Sequence, residues 1–235
     1  KYTNERVHLI GINNAPWPLI TLLRFHYFLS VEDELKQFDY CYFFNSNLIC
    51  TRNITEEEFL PSGNEKIVVT IHPGYCNSKI YDCPYERRKE TGAYVPYNCG
   101  EHYVIGAVEG GETEAFLKMC KTIQSRINDD LKKGNITKWH DESYLNHYII
   151  GRNDVKYLHP GYCYPMGFDL PVEKIIDTVP KLKYFDVDSF KNAEKKKVTL
   201  RNITSSSRVR MYLRKLYYLI DCLTMKTVKP DKYSS

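Results

Sequence analysis

Short apolar runs alternate along the chain with segments whose apolar residues recur every three or four positions. The first pattern is typical of buried strands and the second of amphipathic helices. Their alternation predicts an α/β protein built on a central sheet. The predicted strands cover residues 7–10, 40–44, 66–71, 103–108 and 155–158.

Helical periodicity marks four further segments, which cover residues 18–38, 114–133, 139–150 and 209–225. Pro18 suits the first turn of the first of these helices. The clearest helix is 114–133, because its apolar residues lie on one stripe and Gly134 follows its last turn. Residues 160–180 are punctuated by Gly and Pro, and we therefore predict a loop there.

Composition describes a globular chain. Its 235 residues are 43% hydrophobic and 26% charged, which suits a folded domain with a sizeable core rather than a disordered chain. No run of eighteen apolar residues occurs, so the sequence predicts no membrane-spanning helix.

Charge is distributed unevenly. Residues 191–235 contain twelve basic and three acidic residues, a net charge of +9, whereas the whole chain carries +4. The remainder is therefore net acidic. A basic tail favours an anionic partner such as phosphate, anionic lipid or nucleic acid, although a merely solvated tail is an equal alternative.

The eight cysteines contain no Cys-x-x-Cys pair, so we expect no zinc site. Their spread through a large chain favours free thiols in a reducing compartment over a disulfide scaffold. Three Asn-x-Thr sequons, at Asn53, Asn135 and Asn202, would instead favour a secreted, glycosylated protein. Such matches, however, arise by chance in a chain rich in Asn.

The candidate chemistry centres on Asp141 and Glu142, which stand beside Trp139 and near Asn146 on a predicted helix. Adjacent helical side chains diverge by about 100°, so the two acids would divide their work. One would hold a sugar hydroxyl while the other faced an oxocarbenium-like anomeric carbon. Aromatic and amide neighbours favour a sugar site. The alternative is a helix N-terminus stabilised by two acids.

An ordered series of short segments, including HPGY, YERR and WHDES, gives the sequence a specific resemblance. The chain resembles the family 6 retaining glycosyltransferases, which include the histo-blood-group A and B transferases, α1,3-galactosyltransferase and bacterial relatives. The likeness runs from about residue 5 to residue 202, and the remaining residues match no segment of the family. The shared segments lie at 17, 23–26, 40–47, 72–75, 85–88, 93–96, 103–111, 139–145, 158–162 and 200–202.

This resemblance implies a GT-A type glycosyltransferase fold, with a mixed central sheet flanked by helices. We expect a catalytic domain over residues 1–202 and a basic amphipathic tail over residues 203–235. The family begins with a further strand and helix, which hold the uracil base and precede the segment matching residues 7–10. This sequence lacks them, and we expect that the natural protein is longer at its N-terminus.

The family's metal motif, Asp-x-Asp, falls here on Asn45, Ser46 and Asn47. The bacterial branch carries Asn-x-Asn and is understood to work without metal, which implies a bacterial, metal-independent enzyme. Two amides also lack the charge to hold Mn²⁺ or Mg²⁺ firmly. The leaving diphosphate then needs another cation, and the resemblance assigns this role to Lys195 and Arg201 in a closing C-terminal segment.

The remaining roles follow from the resemblance position by position. Glu142 is implied as the nucleophile or ion-pair stabiliser, and sequence does not decide between a covalent intermediate and same-face substitution. His72 and Trp139 are implied to contact the acceptor, with a turn histidine and a core tryptophan as the alternatives. The implied donor-binding residues are Arg24, Asn45, Asn47, Ile105, Gly106, Ala107, Asp141, Lys195 and Arg201.

The segment Ile105-Gly106-Ala107 falls on the family's donor-selecting triplet. Ala107 resembles the galactose-using B enzyme, whereas Ile105 is close to the leucine of the A enzyme. The triplet therefore favours galactose over N-acetylgalactosamine only weakly.

We therefore expect a hexosyltransferase that moves Gal or GalNAc from a UDP-sugar, in α1,3 linkage, to a galactose-terminated glycan with or without fucose. The alternative is a sugar-binding or nucleotide-sugar-binding relative without turnover. We expect no cofactor and no nucleic-acid partner. The acceptor could be lipid-linked and the tail could contact a membrane, which suits a cytoplasmic enzyme at the inner membrane face, or a Golgi enzyme if the source is eukaryotic.

Overall fold

A computed structural model describes residues 7–180 and 207–228 of the chain. This part of the protein is a mixed α/β structure with a four-stranded and a three-stranded sheet. The strands are β1 (Tyr40–Phe44), β2 (Leu48–Cys50), β3 (Ile67–Ile71), β4 (Val104–Glu112), β5 (Val155–Leu158), β6 (Tyr164–Pro165) and β7 (Ile176–Thr178).

The larger sheet has the strand order β1-β4-β3-β5. Strand β4 is antiparallel to both of its neighbours, and β3 and β5 are parallel. Two glycines bring β4 close to its neighbours. A Cβ atom on Gly110 would lie 2.3 Å from the Cys41 carbonyl oxygen, and one on Gly111 would lie 2.0 Å from the Lys66 carbonyl oxygen. For this reason β4 continues through the glycines, beyond its predicted end at residue 108.

Seven α-helices lie among the described residues: α1 (Leu19–Leu22), α2 (Arg24–Leu29), α3 (Glu32–Leu35), α4 (Glu56–Phe59), α5 (Thr113–Lys132), α6 (His140–Ile149) and α7 (Ser207–Leu223). Helices α5 and α6 pack against β4, and α2 packs on α5. Their shared core contains Phe25, Val104, Ile123 and Leu145, all fully buried. None of the described helices is long and apolar enough to cross a membrane.

Three sequence predictions were wrong in detail. Residues 7–10 belong to neither sheet and are exposed, because an apolar run becomes a strand only where a neighbour supplies hydrogen-bond partners. Residues 18–38 form three short helices, broken at Leu23 and again before α3, where Val31 has φ −122°. Residues 160–180 contain a 3₁₀ helix at Pro160–Cys163 and strands β6 and β7.

Candidate active site

Glu142 lies in the first turn of α6, facing the beginning of β4. Its Oε1 accepts a 2.7 Å hydrogen bond from the Tyr103 hydroxyl, and its Oε2 accepts a 3.0 Å bond from the Gly106 amide. Burial raises the pKa of Glu142 to about 7, although both of these hydrogen bonds oppose the rise. The carboxylate is therefore fixed at both oxygens, and burial favours its neutral form more than it would for an exposed glutamate.

Arg24, on α2, faces the same end of β4. Its Nη1 donates a 2.6 Å hydrogen bond to the Gly106 carbonyl oxygen. Its Nη2 lies 2.7 Å from Asp141 Oδ2 and 3.0 Å from Glu109 Oε1. The guanidinium also lies 4.4 Å from the centre of the Phe43 ring. One arginine thus bridges two buried carboxylates and the backbone of the predicted donor-selecting triplet.

Asp141 is buried and paired with Arg24. Burial raises the pKa of Asp141, and the positive charge of Arg24 opposes that rise without cancelling it. The two acids of the pair therefore divide as the helix geometry predicts. Glu142 contacts Tyr103 and Gly106, whereas Asp141 contacts the arginine.

Gly106 is the point at which these groups meet. A Cβ atom at this position would lie 3.0 Å from Arg24 Nη2 and 3.6 Å from both Asp141 Oδ2 and Glu142 Cβ. A glycine lets the arginine and the two acids approach β4 closely. Four residues predicted separately for donor binding and catalysis are therefore brought together here.

Asn146 does not line the site as an amide neighbour of the sugar. It is fully buried and holds α6 against β4. Its Oδ1 accepts a 2.9 Å hydrogen bond from the Val104 amide, and its Nδ2 donates to the carbonyl oxygens of Val104 and Glu142. Its role is to fix the distance between the strand and the helix that carries both acids.

The Asn-Ser-Asn segment follows β1 as a turn, next to the triplet. The Asn45 amide donates a 2.9 Å hydrogen bond to the Ala107 carbonyl oxygen. The Asn47 side chain donates through Nδ2 to the Val179 carbonyl oxygen at 2.8 Å. Within the described residues, Asn47 Oδ1 is buried without a hydrogen-bond donor. Asn45 therefore lies beside the triplet, and Asn47 joins this turn to the chain after β7.

The donor atoms of this turn fit a divalent metal poorly, because amide oxygens are neutral and Mg²⁺ and Mn²⁺ sites usually include carboxylates. In residues 7–180 and 207–228, no group of three His, Cys, Asp or Glu side chains is arranged to hold a metal ion.

His72 follows β3 and lies beside Tyr103, with 5.8 Å between their ring centres. Its Nδ1 accepts a 3.0 Å hydrogen bond from the Gly74 amide, so it also closes the local turn, as the alternative interpretation expected. Burial lowers the pKa of His72 to about 4, which leaves a neutral ring at physiological pH. Tyr103 thus lies between His72 and Glu142 and contacts both.

Trp139 immediately precedes α6 and is 43% exposed, so it is not a core tryptophan. Its amide donates to Ser143 Oγ at 3.2 Å. The ring is exposed, and Trp139 precedes the acid pair by only two residues, so the ring surface is open to a ligand.

Lys195 and Arg201 lie outside the described residues, so the structure does not place them. A cavity of about 1150 Å³ is lined by residues of α3, the start of β1 and α5, and contains none of the predicted site residues.

Glu109 was missed by sequence reasoning. It lies in β4, is fully buried, and has Arg24 as its ion-pair partner. Burial raises its pKa to about 7, against the opposing charge of Arg24. The available signal was a charged residue directly after the apolar run 103–108, since a charge next to a buried strand needs a partner if it is itself buried.

Residues 30–192 match the sequence model of the family described as Glycosyltransferase family 6. The chain belongs to glycosyltransferase family 6. The family assignment made from the ordered segments is therefore confirmed. The matched range includes every predicted site residue except Arg24, Lys195 and Arg201.

Relatives in this family include a bacterial enzyme and vertebrate ones. The chain is 40% identical over 148 residues to the O-antigen biosynthesis glycosyltransferase WbnI of Escherichia coli, covering 63% of this chain and 61% of the relative. It is 36% identical over 93 residues to histo-blood group ABO system transferase 2 of Rattus norvegicus, covering 40% and 28%. It is 36% identical over 96 residues to globoside alpha-1,3-N-acetylgalactosaminyltransferase 1 of Gallus gallus, covering 41% and 28%. The chain therefore spans less than two thirds of each relative's length.

Proposed function

We propose that the protein is a retaining hexosyltransferase of GT-A type that transfers Gal or GalNAc from a UDP-sugar, in α1,3 linkage, to a galactose-terminated glycan. The observation that carries the proposal is the convergence of Arg24, Gly106, Asp141 and Glu142 at the start of β4. The name of the Escherichia coli relative, which assigns that protein to O-antigen biosynthesis, supports a glycan acceptor.

In this reaction the C1–O bond to the diphosphate breaks, and a bond forms between C1 and the acceptor hydroxyl oxygen on the same face. The hydroxyl proton passes to a base, such as an oxygen of the departing diphosphate. Glu142 faces C1 from the opposite side and stabilises its positive charge, either as an ion pair or by a transient covalent bond. Its two hydrogen bonds orient the carboxylate before the substrate arrives.

Arg24 and Asp141 would hold the sugar hydroxyls. Their mutual ion pair fixes both side chains at Gly106, so the polar atoms are preorganised rather than mobile. The triplet weakly favours galactose, because the methyl group of Ala107 removes space that a bare glycine would leave.

We also propose that catalysis does not require a divalent metal. Asn45 and Asn47 supply neutral oxygens only, which supports this part of the proposal. Lys195 and Arg201 would stabilise the leaving diphosphate in place of the metal and exclude water as the C-terminal segment closes.

The test is transfer by the complete protein from UDP-Gal and UDP-GalNAc to a galactose-terminated acceptor, with product NMR. We expect an α1,3 linkage from one donor. A reaction without enzyme serves as the control. A β linkage, or no product from either donor, would overturn the proposal.

A further inference from the structure

Helix α7 is held on the body of the protein by one polar side. Asp221, which is buried, accepts a 2.8 Å hydrogen bond from the Tyr97 amide through Oδ2, and its Oδ1 pairs with Lys226. Asn98 donates to the carbonyl oxygens of Asp221 and Lys226. These bonds fix the C-terminal end of the helix on the loop that contains Tyr97.

The other attachments of α7 come from the same side. Residues 214, 217, 218 and 221 are spaced as one helical face. The contacting pairs are Arg214 with Asp82 (3.4 Å), Tyr217 stacked on Tyr97 (5.4 Å between ring centres) and Tyr218 beside Tyr81 (5.3 Å). The face that α7 turns to the protein is therefore made of charged and tyrosine side chains.

The opposite face of α7 is aliphatic and exposed. Leu216 is 51% exposed and Leu219 55%. The face follows the helical period, and its members are Tyr212, Leu213, Leu216, Leu219, Ile220 and Leu223. A surface helix usually buries its apolar stripe against the core. Here the orientation is reversed, and a contiguous apolar patch of this kind marks an interaction surface.

The charges of α7 favour one occupant of this face. Arg210 and Lys215 are exposed on the helix, whereas its acid, Asp221, is buried. The exposed surface of the helix is thus apolar and cationic. Two copies of such a face would repel each other, while an anionic bilayer offers both hydrocarbon and negative charge.

We propose that α7 is a membrane-surface helix, which inserts its aliphatic face into an anionic lipid monolayer and leaves Lys215, at the edge of that face, at the headgroups. This inference rests on the helix alone and does not depend on the proposed transfer reaction. It would keep the active site close to lipid-linked acceptors. Helix α7, in the tail that the sequence predicted to contact a membrane, would contact the body with one face and the lipid with the other.

The experiment is co-sedimentation of the complete protein with phosphatidylcholine vesicles, with and without phosphatidylglycerol. We expect binding to the anionic vesicles that weakens as salt shortens the Debye length. The Leu216→Gln, Leu219→Gln double variant keeps the charge and should lower the partition coefficient by roughly tenfold or more, since it removes two inserted side chains. Lys215→Gln should lower it roughly fivefold.

The matched control is Leu9→Gln with Ile12→Gln, which removes two exposed aliphatic side chains from residues 7–12 and should leave binding unchanged. Equal binding by the α7 variant and the wild type would overturn the proposal. The proposal would also be overturned if the wild type did not bind vesicles but formed a dimer, and the α7 variant were a monomer. That result would show that a second copy of the chain covers this face. Transfer activity is not measured in this experiment, so its result does not depend on whether the proposed function is correct.

Discussion

The hydroxyl of Tyr103 donates a 2.7 Å hydrogen bond to Oε1 of Glu142, and this bond links the residue before β4 to the first turn of α6. Tyr103 is almost fully buried, so the hydroxyl cannot exchange its partner for bulk water. The bond therefore fixes the direction of the carboxylate. It also stabilises the charged form of Glu142, in a place where burial otherwise favours the neutral acid.

Replacing Tyr103 by Phe should shift the pH dependence of transfer. In the proposed reaction the active form of Glu142 is ionised, so turnover should be lost as pH falls through its pKa of about 7. The tyrosine lowers that pKa, and its removal should move the midpoint of the acidic limb upward by about one pH unit. The measurement is kcat as a function of pH. Tyr85→Phe is the matched control, because its hydroxyl donates to the His102 carbonyl oxygen instead. Identical profiles for both variants would contradict a role of Tyr103 in charging Glu142.

The two acids of α6 should respond differently to neutralisation. Glu142→Gln should reduce kcat by roughly a hundredfold or more with little change in donor affinity, because a carboxylate facing C1 acts mainly in the transition state. Asp141→Asn should weaken both kcat and donor binding, since it also releases Arg24. Steady-state kinetics with varied donor distinguish the two patterns. Glu114→Gln, at an exposed position of α5, is the control. Turnover of Glu142→Gln within about threefold of wild type would make this residue a structural helix acid.

Gly106→Ala should impair transfer without unfolding the protein. The added methyl group would lie 3.0 Å from Arg24 Nη2, so the guanidinium must shift away from Asp141 or Gly106. We expect a fall in kcat/KM of roughly tenfold, or about 1.4 kcal/mol. Gly11→Ala is the matched control, because a methyl group at that position would have no atom within 4 Å and the φ of Gly11 is not positive. Equal kinetics of the two variants would show that space at Gly106 is not required.

Much of the site could be predicted from the sequence because its residues lie in short, ordered segments. Asp141, Glu142 and Gly106 occur in such segments, and the structure brings them together with Arg24. Helix α5 and strand β1 were predicted to within a residue at each end, since both have strong local periodicity and clear boundaries. The resemblance assigned each acid a role toward the donor, but the protein partners of the two carboxylates could not be predicted, because those depend on contacts between elements.

Other features could not be predicted because they depend on distant pairing. Strands β6 and β7 have two and three residues, and β7 exists only because β2 and β6 lie on either side of it. From the sequence, Asn146 was interpreted as an amide lining a sugar site. Its hydrogen bonds to Val104 show that it lies in the core instead. The role of Glu109 likewise depends on an arginine 85 positions earlier in the chain.

Transfer should survive excess EDTA. This prediction follows from the neutral side chains of Asn45 and Asn47, which provide no anionic ligand for Mn²⁺ or Mg²⁺. The measurement is product formation after chelation, compared with untreated enzyme, and we expect less than a twofold change, about 0.4 kcal/mol in barrier. Complete loss with EDTA, followed by rescue with Mn²⁺, would show that ligands outside this turn hold a metal.

Replacing Glu109 by Gln should change how stability depends on pH. In the folded protein burial raises the pKa of this carboxyl from 4.5 to about 7, so the folded state binds one more proton than the unfolded state between these values. The free energy of unfolding of the wild type therefore falls as pH rises through this window. Gln cannot titrate, so the variant should lack this component.

The stability of Glu109→Gln relative to wild type should thus increase by roughly 3 kcal/mol from pH 4.5 to pH 7. The difference at low pH, where Glu109 is protonated in the wild type, reports the exchange of a neutral carboxylic acid for a neutral amide beside Arg24. Urea unfolding at several pH values measures both quantities, and Glu114→Gln provides an exposed acid for comparison. If the two variants differ from wild type by amounts that do not change with pH, Glu109 titrates normally, and its burial beside Arg24 has no effect on its proton.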